Sequence, residues 1–174
     1  MKKIYIVLSF TGTVLSRIVR LYTKKEYSHV SISLDENLSQ MYSFGRLNPY
    51  IPFLGGFVQE SPRYGTFKRF KNTKTKIYSM EVSDEDYLKI KDTILEIQKD
   101  KKNYRFNVLG LITIMAHYHL KREKCFYCAE FVKYVLTSSD LEIDLPDLIK
   151  PADFQSVEGL NVVYTGKLQD YPIL

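Results

Sequence analysis

Tyr27-Ser28-His29-Val30-Ser31-Ile32-Ser33-Leu34 alternates strictly between apolar and polar side chains. A period of two places Val30, Ile32 and Leu34 on one face of a strand and His29, Ser31 and Ser33 on the other. Asp35-Glu36-Asn37 then turns the chain, and Ser39 to Gly45 reads as a return strand, so Tyr27 to Gly45 forms an antiparallel hairpin. The hairpin fixes His29 on a rigid element.

Working outward, Lys3 to Phe10 is β-branched and aromatic and ends at Thr11-Gly12-Thr13, a turn that also supplies helix-capping hydroxyls. From Thr13 to Thr23, Val14, Leu15, Ile18, Val19 and Tyr22 recur at helical spacing, which predicts a helix with one face packed on the sheet. After the hairpin, Pro49, Pro52, Gly55 and Gly56 break regular structure between Arg46 and Phe57, and a loop of that kind often lines a site. Val58 to Phe70 reads as either strand or coil, whereas Thr75 to Val82 alternates like a strand. Ser83 caps a helix whose stripe of Tyr87, Ile90, Ile94, Leu95 and Ile97 runs to about Lys99. Further helical segments are expected over Asn107 to His117 and Phe126 to Leu136, and a last strand over Asn161 to Thr165. The pattern is α+β, an antiparallel sheet packed against helices, in one domain spanning residues 1–174.

Composition narrows the function classes. Apolar residues make up 45% of the chain and aromatics 14%, enough for a packed core and too much for disorder. The net charge of +5 comes from short scattered groups such as Lys24-Lys25 and Lys121 to Lys124. That favours a generally basic surface, weakly attracted to anionic surfaces, over a specific nucleic-acid stripe. Cys125 and Cys128 are the only cysteines, one close pair that builds no disulfide framework, so a reducing, cytoplasmic setting is expected. Met1-Lys2-Lys3 before Ile4 to Leu8 resembles a signal peptide only superficially, since no small-residue cleavage site precedes Arg17 and Arg20. The apolar run Val108 to Ala116 falls far short of the roughly 20 residues that span a bilayer, so no transmembrane segment is expected.

Cys128 falls in the first turn of the expected Phe126 to Leu136 helix. A thiol there faces unpaired backbone N–H groups and the positive end of the helix dipole, which favour the thiolate and can stabilise an oxyanion. Thiol catalysis also needs a base within hydrogen-bond reach and a group to orient it, and His29 is the one histidine on an expected strand. Taken singly, a helical cysteine is more often a small buried hydrophobe and a strand histidine a structural residue. A zinc reading also exists: His117 and His119, with Cys125 and Cys128, supply four ligands separated by a spacer shorter than usual finger loops.

Tyr27-Ser28-His29-Val30-Ser31-Ile32 and Phe126-Tyr127-Cys128-Ala129-Glu130-Phe131-Val132 resemble the histidine strand and the cysteine helix start of the circularly permuted, NlpC-related papain-like amidases (YiiX-like). Pro151-Ala152-Asp153-Phe154 resembles the Pro-x-Asp-Leu found after that family's cysteine helix, and the opening strand and helix also agree; the middle, from Asn48 to Lys99, is not distinctive. The resemblance implies a papain-like fold of permuted NlpC type. It also implies acyl transfer through a thioester at Cys128 with His29 as base and later acid. Ala129 stands where serine is commoner in the family.

The orienting group should lie on the strand after the histidine, where Ser43 is the best positional match and Gln40 and Glu60 are the other candidates. Tyr127 is placed either to donate its hydroxyl near an oxyanion or to pack as an aromatic, and Glu130 is read as a cap for the helix start. The expected activity is that of a thiol-dependent amidase or acyl hydrolase on a small peptide, aminoacyl or lipid amide or ester, with no cofactor or metal. The alternative is a catalytically impaired papain-fold ligand-binding protein.

Overall fold

A computed structural model describes residues 1–51, 54–107 and 122–172. Its centre is a six-stranded antiparallel sheet in the order β4-β3-β2-β1-β5-β8. The strands are β1 (Lys2–Phe10), β2 (His29–Ser33), β3 (Met41–Arg46), β4 (Gly55–Glu60), β5 (Lys74–Val82) and β8 (Asn161–Lys167). Two short parallel strands, β6 (Arg105–Phe106) and β7 (Cys125–Phe126), form a separate pair. The described helices are α1 (Val14–Thr23), α2 (Gly65–Arg69), α3 (Asp84–Lys99) and α4 (Cys128–Thr137). The α+β class is therefore observed, and the hairpin joins β2 and β3 in the register Ile32 to Tyr42.

Strand alternation sorts the sheet into two faces. Ile4, Ile6, Leu8, Val30 and Ile32 pack with the α3 stripe of Ile90, Ile94 and Ile97 and with Phe131, Val132 and Val135 of α4. The opposite face buries Tyr5, Val7, Met41 and Ile77 with Phe67 of α2 and the C-terminal Leu168 and Tyr171. His29, Ser31, Ser43 and Glu60 share the parity of this second face, because Val7 pairs Ser31 and Met41 pairs Glu60. The caps follow the sequence: Ser83 Oγ accepts from Asp86 N at 3.0 Å, and Thr13 Oγ1 accepts from Ser16 N at 3.3 Å.

Helix α1 departs from expectation. It forms where the periodicity put it, but its apolar face is divided: Tyr22 packs against the core and Leu15 and Val19 are half-buried, while Val14 is 76% and Ile18 44% exposed, and Ser16 is its buried residue. Polar contacts set the rotation. Ser16 Oγ donates to Thr13 O at 2.8 Å, and the Arg46 guanidinium donates to Thr13 Oγ1 at 2.6 Å, so the start of α1 is tied to the end of β3 through its hydroxyl side. The expected helix over Asn107 to His117 lies almost wholly outside the described residues. Among the described residues no helix is long and apolar enough to cross a membrane.

Candidate active site

His29 opens β2, at the end of the sheet where β1 finishes, and Cys128 is the first residue of α4. Both line one narrow cleft of about 80 Å³, together with Leu15 and Val19 of α1, Phe67 of α2 and Phe106 of β6. The Cys128 sulfur lies close enough to the imidazole to bear on its charge. Cys128 is buried but not sealed, at 7% exposure.

Glu60 holds the other side of the ring. Its Oε1 lies 3.1 Å and its Oε2 3.3 Å from His29 Nε2, and Ser31 Oγ donates to Glu60 Oε2 at 2.5 Å. With Nε2–H given to Glu60, Nδ1 is the ring nitrogen left for the thiol. Glu60 reaches His29 from two strands away, a span of about 10 Å that suits the long glutamate side chain. It crosses β3 over Gly45, where an added Cβ would stand 3.2 Å from Glu60 Oε1 and Ser43 Oγ and 3.4 Å from His29 Cε1. Glycine at 45 thus opens the corridor through which base and carboxylate meet.

The electrostatics follow from this sandwich. Burial disfavours the imidazolium, but the Glu60 charge and then the Cys128 sulfur outweigh it and push His29 up to about 10. Burial likewise disfavours the Glu60 carboxylate, and the His29 charge with hydrogen bonds from His29 and Ser31, helped by the nearby Ser43 hydroxyl, reverses this, holding Glu60 below its ordinary value. The site therefore keeps a proton on His29 between a carboxylate and a sulfur.

Among the three candidates for the orienting role, the geometry selects Glu60. Ser43 is fully buried one strand closer, and its hydroxyl makes no hydrogen bond of good geometry while still lying near enough to help keep Glu60 ionised. Gln40 is exposed at the hairpin turn, where its backbone N–H donates to Asp35 Oδ1 at 2.7 Å, away from the cleft. Tyr127 borders the cleft, but its hydroxyl donates to the Ile149 carbonyl at 2.9 Å, so it anchors the start of α4 instead of offering a donor beside the thiol. Burial raises that phenol above its usual value. Glu130 Oε2 accepts from Tyr127 N at 3.0 Å, which is the expected cap.

Arg46 is a cleft residue the sequence reading did not single out. Burial, and secondarily Arg69, depresses its guanidinium below its usual value, yet it still places a cation beside the mouth of the cleft. Nothing in the sequence distinguishes it from the chain's other basic residues, because its place depends on the β3–β4 register.

The zinc reading needs Cys125 and Cys128 at one centre with His117 and His119. Cys125 sits on β7 and lines a different cleft, with Tyr104, Lys124 and Tyr134, whereas Cys128 faces His29. His117 and His119 lie outside the described residues. Among the described residues no group of three or more His, Cys, Asp and Glu side chains could hold a metal ion.

Compared with protein-family models and with curated proteins, the chain matches none.

Proposed function

We propose that this protein is a thiol-dependent amidase or acyl hydrolase of the permuted papain-like kind, with Cys128 as nucleophile, His29 as base and acid, and Glu60 orienting the imidazole. One observation carries the reading: Cys128 at a helix start and His29 line the same cleft, and the His29 ring is hydrogen-bonded to the Glu60 carboxylate there. The Cys128 sulfur attacks the acyl carbonyl carbon, and the proton on His29 passes to the departing amine or alcohol as the C–N or C–O bond breaks. The thioester that remains is cleaved by water, which gives one proton to His29 as its oxygen bonds to the acyl carbon; the C–S bond breaks, the free acid leaves, and the site is restored with its proton on His29. Backbone N–H groups in the first turn of α4 lack intrahelical acceptors and serve as oxyanion donors in this scheme.

The resemblance of the histidine and cysteine motifs to NlpC-related amidases supports the same reading, as does their agreement with what meets in space. A non-catalytic binding role rested on a serine as the third residue, and Glu60 in that place removes its motive. Incubation with p-nitrophenyl acetate tests the proposal. Acetylation of Cys128 with a burst of nitrophenol, seen by intact mass and peptide mapping, is the expected result; release with no label on Cys128, or no release, overturns it.

A further inference from the structure

Helix α1 has a distinct role on each of its sides. Leu15, Ser16 and Val19 line the cleft that holds Cys128 and His29. On the opposite side, Arg17, Arg20, Lys24 and Lys25 border an open groove, with Phe10, Leu21 and a single acid, Glu26. That acid is paired to Lys74 at 3.8 Å. Between cleft and groove the helix presents its exposed crest of Val14, Ile18 and Leu21, and α1 itself contains no acidic residue. Arg46, bonded to Thr13 at the start of α1, brings the chain from β3 into a loop whose Leu47, Tyr50, Ile51 and Leu54 are also exposed. An apolar crest flanked by cations, beside the mouth of an apolar cleft, is the pattern of a helix lying in a membrane interface.

We propose that α1 and the β3–β4 loop form a docking surface for an anionic lipid bilayer. The crest enters the boundary between headgroups and acyl chains, and the Arg17, Arg20, Lys24 and Lys25 groove meets lipid phosphates. Charge complementarity selects this occupant over a neutral apolar partner, since the groove concentrates four basic residues beside the crest while its acid is already paired. The cleft then opens at the lipid surface, and its Leu15, Val19, Phe67 and Phe106 walls suit an acyl chain; this substrate assignment, membrane-lipid acyl esters or amides, rests on the hydrolase reading above.

The test is co-sedimentation of the full-length protein with vesicles of phosphatidylcholine alone and of equal parts phosphatidylcholine and phosphatidylglycerol. Binding to the anionic vesicles, weakened by salt, is expected. It should fall about tenfold or more in the R17Q/R20Q/K24Q variant and likewise in V14S/L21S. These five surface positions lie outside the cleft, so both variants should hydrolyse soluble p-nitrophenyl acetate as the parent does, and Cys128→Ala should still sediment with vesicles. Failure of the parent protein to bind anionic vesicles, or binding that neither variant weakens, overturns the docking surface whatever the esterase result. A parent that self-associates through the crest, becomes monomeric in V14S/L21S and never binds vesicles overturns it in favour of a second copy of this chain. Loss of ester hydrolysis by Cys128→Ala without loss of vesicle binding keeps the two readings separate.

Discussion

Cys125 and Cys128 are three residues apart, both buried and both free thiols, yet the fold gives them different company. Cys125 is a strand residue, its N–H donating to Arg122 O at 3.2 Å, in a cleft bordered by Tyr104, Lys124, Phe126 and Tyr134. Cys128 begins a helix and shares its cleft with an imidazole backed by a carboxylate. The contrast teaches that two neighbouring thiols can differ entirely in what surrounds them, and in the proposed mechanism each part of the Cys128 surrounding can be removed in turn.

The largest effect should come from exchanging the thiols themselves. Cys128→Ala should lower turnover of a soluble ester by about 10⁴-fold or more, to the level of unassisted hydrolysis. Cys125→Ala should stay within about twofold, read as initial rates, because it contributes only packing at the edge of the α4 base. Equal losses from the two would erase the comparison.

Glu60→Gln comes next. The amide keeps the span over Gly45 but removes the charge facing His29, so kcat should fall by about 10²-fold, with a smaller change in KM. An unchanged kcat would leave Glu60 a structural partner only.

The same charge sets a stability signature. Because His29 binds its proton more tightly when folded, rising from an ordinary 6.5 to about 10, its contribution is complete below pH 6.5 and is lost as pH rises through about 10. Glu60, held below its ordinary value, contributes in the opposite sense: its share is present above the usual carboxylate range and is lost as pH falls through its lowered value. Unfolding free energies from urea titrations between pH 6.5 and 10 should fall more steeply in the parent protein than in Glu60→Gln, by roughly 1–3 kcal/mol across the window. Parallel curves would contradict the coupling.

A smaller change is expected from Gly45→Ala. Its methyl would press on Glu60 Oε1 and Ser43 Oγ at 3.2 Å, which should cost about 1–3 kcal/mol of stability by thermal denaturation and lower activity with it. A stable, fully active alanine variant would show that the corridor has room to spare.

What was legible in the sequence was local. The alternation around His29 located its strand and face, and the Ser83 cap with the Ile90, Ile94, Ile97 stripe located α3, whose stripe is buried as the period implies. The same helical period in α1 gave the element correctly but only part of its packing, with Tyr22 on the core and Val14 and Ile18 exposed, because a period tells which residues share a face and not what that face meets. Polar ties at Thr13, Ser16 and Arg46 turned α1 so that its crest looks outward. The third member of the site was legible only as a set of candidates. Choosing Glu60 over Ser43 needed the β3–β4 register, a long-range pairing that Gly55-Gly56 obscured by making the strand look like a loop. Gly55 itself belongs to that packing, since a Cβ there would stand 2.7 Å from the Phe106 ring.

The central claim, that Cys128 is activated by His29, is tested most directly by site-resolved alkylation. Iodoacetamide labelling of each cysteine is followed by peptide mass spectrometry across pH, in the parent protein and in His29→Ala. The account predicts that Cys128 of the parent is labelled quickly at neutral pH, that His29→Ala slows it by about 10²-fold or more, and that Cys125 is slow in both. Labelling of both cysteines at one common rate, or a Cys128 rate that His29→Ala leaves unchanged, would contradict it.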